Sequence, residues 1–115
     1  MRKTKTAVLK SEKMKNKWVR HIVYEKELSE TSARWMAQRM ETLLDYMQYG
    51  NALVAYYKQD GTFCLVRASL RHYEADFRRP FEPESVRSTL VYKDVDRQQW
   101  CTFRIENFLE WKPIV

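Results

Sequence analysis

The hydrophobic period of this chain changes once, at Gly50. Before it, Met36, Met40, Leu43, Leu44 and Met47 recur at the i, i+4, i+7, i+8, i+11 spacing of a single helical stripe. Ser29, Thr31 and Ser32 precede the stripe as N-cap side chains, so the spacing predicts an amphipathic helix over about 30–48. Glu30 and Arg34 form an i, i+4 pair on its wet side, and Gly50 is expected to end it through a left-handed C-cap. After Gly50 the period shortens. Residues 52–58 (ALVAYYK) and 62–70 (TFCLVRASL) read as strands joined by Gln59-Asp60-Gly61, a hairpin signature.

The rest of the chain continues in short strands. Pro80 and Pro83 keep residues 71–87 out of a central strand, and the segment is too long for an ordinary loop, so it is expected to hold some structure of its own, pinned by Tyr73, Phe77 and Phe81. Residues 88–94 and 99–105 form a second strand pair around Val95-Asp96-Arg97-Gln98, where the lack of glycine favours a turn longer than two residues. Residues 109–114 supply a fifth strand. One helix followed by five short strands predicts an α+β fold: an N-terminal amphipathic helix packed on a small five-stranded antiparallel β-barrel spanning about 51–114, closure removing the exposed edges. At 115 residues the chain is read as one domain, 17–115, behind a basic and flexible arm, 1–16. Residues 17–28 are able to pack, but their period fits helix and strand alike.

Charge is concentrated in the arm. Of the net +6, residues 1–20 hold eight bases (Arg2, Lys3, Lys5, Lys10, Lys13, Lys15, Lys17 and Arg20) against Glu12 alone, whereas the other 95 residues hold thirteen bases and fourteen acids. Such an arm attracts polyanions by counterion release, so nucleic acid is the first expected partner, through those eight residues. A solvated tail that binds nothing has the same composition. No membrane partner is expected, because Val8, Leu9 and Met14 make no broad apolar face and the longest apolar run, 52–57, is far shorter than a spanning helix.

Two glycines exclude a dinucleotide fingerprint, a P-loop and a nucleophile elbow. Cys64 and Cys101 are far apart, and with His21 and His72 they make neither a short-spaced metal set nor a recognisable nucleophile and base. No metal, cofactor or catalytic residue is expected, and a protein without enzymatic activity follows. Arg2, Lys3 and Lys5 are followed by no apolar signal-peptide run, so reduced thiols in the cytoplasm are expected.

Residues 90–94 (LVYKD) and 100–108 (WCTFRIENF) resemble the end of a WYL domain. The D-G-T hairpin (Asp60, Gly61, Thr62), the proline-bearing loop and the tryptophan-x-x-F-R element resemble still more closely a small stand-alone WYL-like family with an Sm-like barrel, over about residues 51–112. The resemblance implies a regulatory protein that binds nucleotides or nucleic acid through a basic, aromatic-lined cleft. Phe103 and Arg104 match the motif's phenylalanine and the arginine after it, while Cys101 and Asn107 stand where two further arginines are found. Strand alternation puts Trp100, Thr102 and Arg104 on one side and Cys101, Phe103 and Ile105 on the other. Trp100 and Arg104, joined by Arg67, are therefore the candidate ligand cleft, stacking a base and holding its phosphate. The alternative is a structural Arg104 paired with Glu106, Glu110 or a backbone carbonyl. A second function class is a protein-interaction module, for example from a phage or mobile element, that seizes a host protein.

Overall fold

The computed structural model describes the backbone of residues 5–115 and the side chains from Ala7 onward. Two helices lead into a five-stranded antiparallel sheet: α1 Lys5–Lys26, α2 Glu30–Met47, β1 Asn51–Tyr57, β2 Phe63–Ser69, the short helix α3 Tyr73–Phe77, β3 Thr89–Asp94, β4 Gln99–Arg104 and β5 Phe108–Ile114. Short 3-10 turns at Pro83–Ser85 and Ile105–Asn107 complete the chain.

The segment expected as a flexible arm is helical from Lys5. What holds it is packing rather than propensity, as is usual for helices in proteins. Met14, Trp18 and Ile22 recur every four residues and are buried with Val19. The Trp18 indole also donates to the Val86 carbonyl at 2.8 Å. The open question at 17–28 is thereby answered as helix, through Lys26. Glu27 follows in the left-handed region (φ 54°) and breaks the helix before α2 starts.

In α2, Ser29 caps the N-terminus by accepting from Ser32 N at 3.1 Å, and the expected stripe is fully buried apart from a sliver of Met36. Its end differs from expectation. Gln48, in ordinary right-handed geometry, caps the helix, and Gly50 is not left-handed. Gly50 instead gives room to Tyr46, whose ring lies 3.2 Å from where a Cβ would stand. The β1–β2 hairpin turns on Gly61 (φ 87°), with Asp60 Oδ1 accepting from Thr62 N. The β3–β4 turn solves the absence of glycine by placing Gln98 at φ 56° and by letting Asp94 Oδ1 accept from both Asp96 N and Arg97 N.

The strand order is β4-β3-β2-β1-β5, and the sheet is open, not a closed barrel. Two features keep it open. β2 and β3 share only the pairs Ala68↔Asp94 and Ser69↔Lys93, so the β1–β2 and β3–β4 hairpins diverge like the arms of a V. The 3-10 turn Ile105–Asn107 then carries the chain from β4 to β5 without pairing those two edges. Helix side chains do the work that closing strand pairs would have done: α2 lies on β5 and β1, and α1 lies on the 3-10 turn. Phe103 and Ile105 are buried, as the alternation requires.

Candidate nucleic-acid interface

Making α1 a helix sorts its bases by direction. Lys10, Lys13, Lys17 and Arg20 fall at i, i+3, i+7 and i+10, which places them on one side of α1 over about 15 Å at ~1.5 Å per residue. All four are exposed, and among the described residues they hold no hydrogen bond or ion pair. Tyr24, 82% exposed, extends the same stripe by one turn. Arg20 and Tyr24 also line a shallow groove of about 540 Å³ with Asn16, Val19, Val23, Glu30 and Arg34.

Lys15 points the other way and is not part of this surface. It is largely buried against α2, donating to Gln38 Oε1 at 2.9 Å and lying 3.5 Å from the carboxylate of Glu41, which Ser11 also bonds. A buried acid needs such partners, so Lys15 ties α1 to α2. Arg2 and Lys3 lie outside the described residues, and for Lys5 only the backbone is described.

The three residues expected to share a cleft on the sheet are not brought together. Trp100 lies under α3, its indole donating to Asp76 Oδ2 at 2.8 Å, with Phe77 at 4.9 Å and Tyr73 at 5.8 Å between ring centroids. Lys93 stands over the same ring and bonds Asp76 at 3.1 Å. The Trp100 indole and the Lys93 ammonium hold the Asp76 carboxyl below its ordinary pKa. Tyr73, Phe77 and Phe81 do pin the 71–87 segment: Tyr73 and Phe77 pack on Trp100, and Phe81 packs on Tyr73. Arg104 is paired: its Nε donates to Glu106 Oε2 at 2.7 Å. Glu106 is itself buried and accepts from His21 Nε2 of α1 at 2.8 Å. Burial pushes the Glu106 pKa up, but the bonds from Arg104 and His21 outweigh it, so the carboxyl is held below its usual range. Arg67 stands apart, exposed on the other hairpin.

The divergence of the hairpins does create a cleft, of about 720 Å³. Its floor is a pair of tyrosines that sequence reasoning missed: Tyr56 of β1 and Tyr92 of β3 join their hydroxyls at 2.6 Å. Burial pushes Tyr56 up to about 12 and Tyr92 further, so both hydroxyls stay protonated and neutral. Each faces a cysteine across its ladder, Tyr56↔Cys64 and Tyr92↔Cys101, and both thiols are free. Lys58, Arg97 and Arg104 lie on the rim with Asp94 and Asp96, so the mouth carries both signs of charge. The alternation of β1 and β3 makes Tyr56 and Tyr92 inward-facing, but nothing local says that two strands from different hairpins meet there.

Among the described residues no group of three or more histidine, cysteine and acidic side chains is placed to hold a metal, and no helix is long and apolar enough to cross a membrane. The family model WYL_2, described as an Sm-like SH3 beta-barrel fold, matches residues 40–109. That range holds β1 to β4 and the 3-10 turn with Glu106, and leaves out α1 and its stripe. Neither the curated proteins nor the solved structures contain a match to this chain.

Proposed function

This chain belongs to the WYL_2 family, of Sm-like SH3 beta-barrel fold, and from that premise we propose that it is a non-enzymatic, nucleic-acid-associated regulatory protein of the cytoplasm. The observation that carries the reading is the row Lys10, Lys13, Lys17 and Arg20, four unpaired cations fixed on one exposed helix side. A helix spends little further conformational entropy when such a row meets a phosphate backbone, whereas a floppy tail must first be ordered. Phosphate contacts of this kind give affinity and register rather than base readout. The WYL-like sheet is then the part that carries regulation, its cleft between the hairpins accepting a small ligand such as a nucleotide.

A binding role suits the side chains better than catalysis. His21 is committed to Glu106, and Cys64 and Cys101 face neutral tyrosines rather than a base. Free thiols agree with a reducing compartment.

A mobility-shift or anisotropy titration of a labelled duplex between 50 and 300 mM salt tests the proposal. Wild-type protein is expected to show a steep fall of log K with log salt. Replacing Lys10, Lys13, Lys17 and Arg20 with glutamine is expected to flatten the slope by about 3 to 4 on the basis of ~0.9 per phosphate released. Circular dichroism should be unchanged, since the four side chains support nothing in the fold. No binding at 50 mM salt, or an unchanged slope in the variant, would overturn it.

A further inference from the structure

The sheet has a second face, which α3 covers at Trp100 and Lys93 but which is left exposed along β1, β2 and β5. Helix α2 lies on β1 and β5 with Trp111 against Arg39, while Ala52 and Val54 are buried, so the alternate residues of β1 and β2 face away from that packing. The register arranges them in rows: Tyr57 beside Phe63 at the hairpin end, then Glu110–Ala55–Leu65, then Lys112–Leu53–Arg67. Phe63 and Leu65 are more than half exposed and Tyr57 is 43% exposed, with the two rings edge to face at 6.1 Å between centroids. Exposed aromatics grouped in this way, rather than scattered, mark a contact surface.

The charges on this face say what kind of contact. Arg67, Lys112 and Lys58, the last of which borders the cleft between the hairpins together with Tyr57 and Leu65, are exposed and hold no side-chain hydrogen bond or ion pair among the described residues. The acid in the rows, Glu110, is already bonded to Arg39 of α2 at 2.7 Å and so is not available to them. An apolar protein partner would strip water from three unpaired cations, a heavy cost. A polyanion gives them partners. The rings in turn want flat apolar faces, and the bases of a duplex hide theirs by stacking, while those of a single strand do not.

We propose that the bare face of β1, β2 and β5 binds single-stranded nucleic acid, with Tyr57 and Phe63 stacking on bases and Arg67, Lys112 and Lys58 holding the backbone. The row of cations lies about 13 Å from the rings at ~3.3 Å per strand residue, so one strand running along the hairpin reaches both. This deepens the nucleic-acid reading drawn from α1 and rests on it for the class of partner, yet the surface is a different one, on the side of β1 and β2 that α2 does not cover. Sequence-independent stacking rather than base recognition is what two exposed rings supply.

The test uses the full chain, a labelled twelve-residue oligothymidylate and a twelve-pair duplex. The double variant Tyr57→Thr, Phe63→Thr keeps strand-forming residues at both exposed positions. It is expected to bind the single strand at least about tenfold more weakly while duplex affinity stays within about twofold. Unchanged affinity for oligothymidylate in this variant overturns the proposal and leaves the face to a protein partner. If the glutamine variant of α1 then still loses duplex binding, the reading of α1 stands alone; if only the threonine variant loses binding, the sheet face stands and the α1 reading falls. Photo-cross-linking of wild-type protein to a 5-iodouracil oligonucleotide, which needs no variant to fold, is expected to label Tyr57 or Phe63. Cross-links confined to α1 would likewise overturn the proposal.

Discussion

Glu106 shows how one side chain can settle the fate of two others. Its two oxygens are shared between Arg104 at 2.7 Å and His21 at 2.8 Å, and it is nearly sealed from water. Its folded pKa lies below that of an unfolded glutamate, about 4.3, so the network stabilises the protein fully above that value and is lost as pH falls through the lower folded one. The thermal midpoint of the wild type is therefore expected to drop between about pH 5 and pH 3 more steeply than that of Glu106→Gln. Parallel curves would show that the network is energetically idle. At pH 7 the same variant should lose about 1–3 kcal/mol in denaturant unfolding. The Tyr56–Tyr92 contact makes a second residue-scale case. Removing one hydroxyl (Tyr56→Phe) leaves the other buried without its partner, at about 1–2 kcal/mol, while the double phenylalanine variant should cost less than the sum of the two single ones; additivity in a double-mutant cycle would refute the coupling. Of these contacts only the Arg104–Glu106 pair was legible in the sequence. Arg104 with Glu106 was one of the alternatives that alternation left open, but His21 is 85 residues away, and nothing at either position points to the other.

At the scale of elements, β-strands and α2 follow closely from their periods, and α1 does not. Eight bases in twenty residues outweigh, to the eye, a stripe as sparse as Met14, Trp18 and Ile22, although that stripe has the right spacing. The helix exists because these side chains find a surface and because Lys15 finds Glu41. Trp18→Ala should thus cost about 3–5 kcal/mol, read by chemical unfolding, and should lower helix content by circular dichroism beyond a single residue's worth. The helix ends at a residue ill suited to its place: Glu27 is exposed and left-handed at φ 54°. Glycine carries no steric penalty there, so Glu27→Gly is expected to stabilise by about 0.5–1 kcal/mol, a few degrees in Tm; a loss of stability would mean that the Glu27 side chain makes a contribution the geometry does not reveal.

The whole molecule is an open sheet with α2 packed on one side and the short α3 against Trp100 and Lys93 on the other, where a closed or nearly closed barrel was expected. The expectation came from counting strands and from the wish to bury edges, and both are blind to the two-pair ladder between β2 and β3. That junction has a measurable consequence. β1 is paired on both sides along its length, by β2 and β5, while β4 and β5 are the edges. Amide hydrogen exchange is expected to be slowest in β1 and in α2, and faster in β4 and along the outer side of β5; equal protection in β1 and β4 would mean that the edges close in solution. The same openness leaves a cleft between the hairpins and an exposed face of β1 and β2 that adjoins it at Tyr57, Lys58 and Leu65.

Periodicity alone determined which side chains of each strand share a face, where the hairpins turn and that a methionine-rich helix packs on them, because these depend on neighbours a few residues apart. Which of the charged and aromatic side chains stay free to meet a partner was decided only by the tertiary structure. Arg104 is claimed by Glu106, Trp100 by Asp76 and Lys15 by Glu41, whereas Lys13, Lys17, Tyr57 and Phe63 are left to solvent. The reason is physical: a carboxylate takes whichever donors the packed chain brings into reach, and for Trp100 with Asp76 and His21 with Glu106 those donors come from segments 24 and 85 residues away.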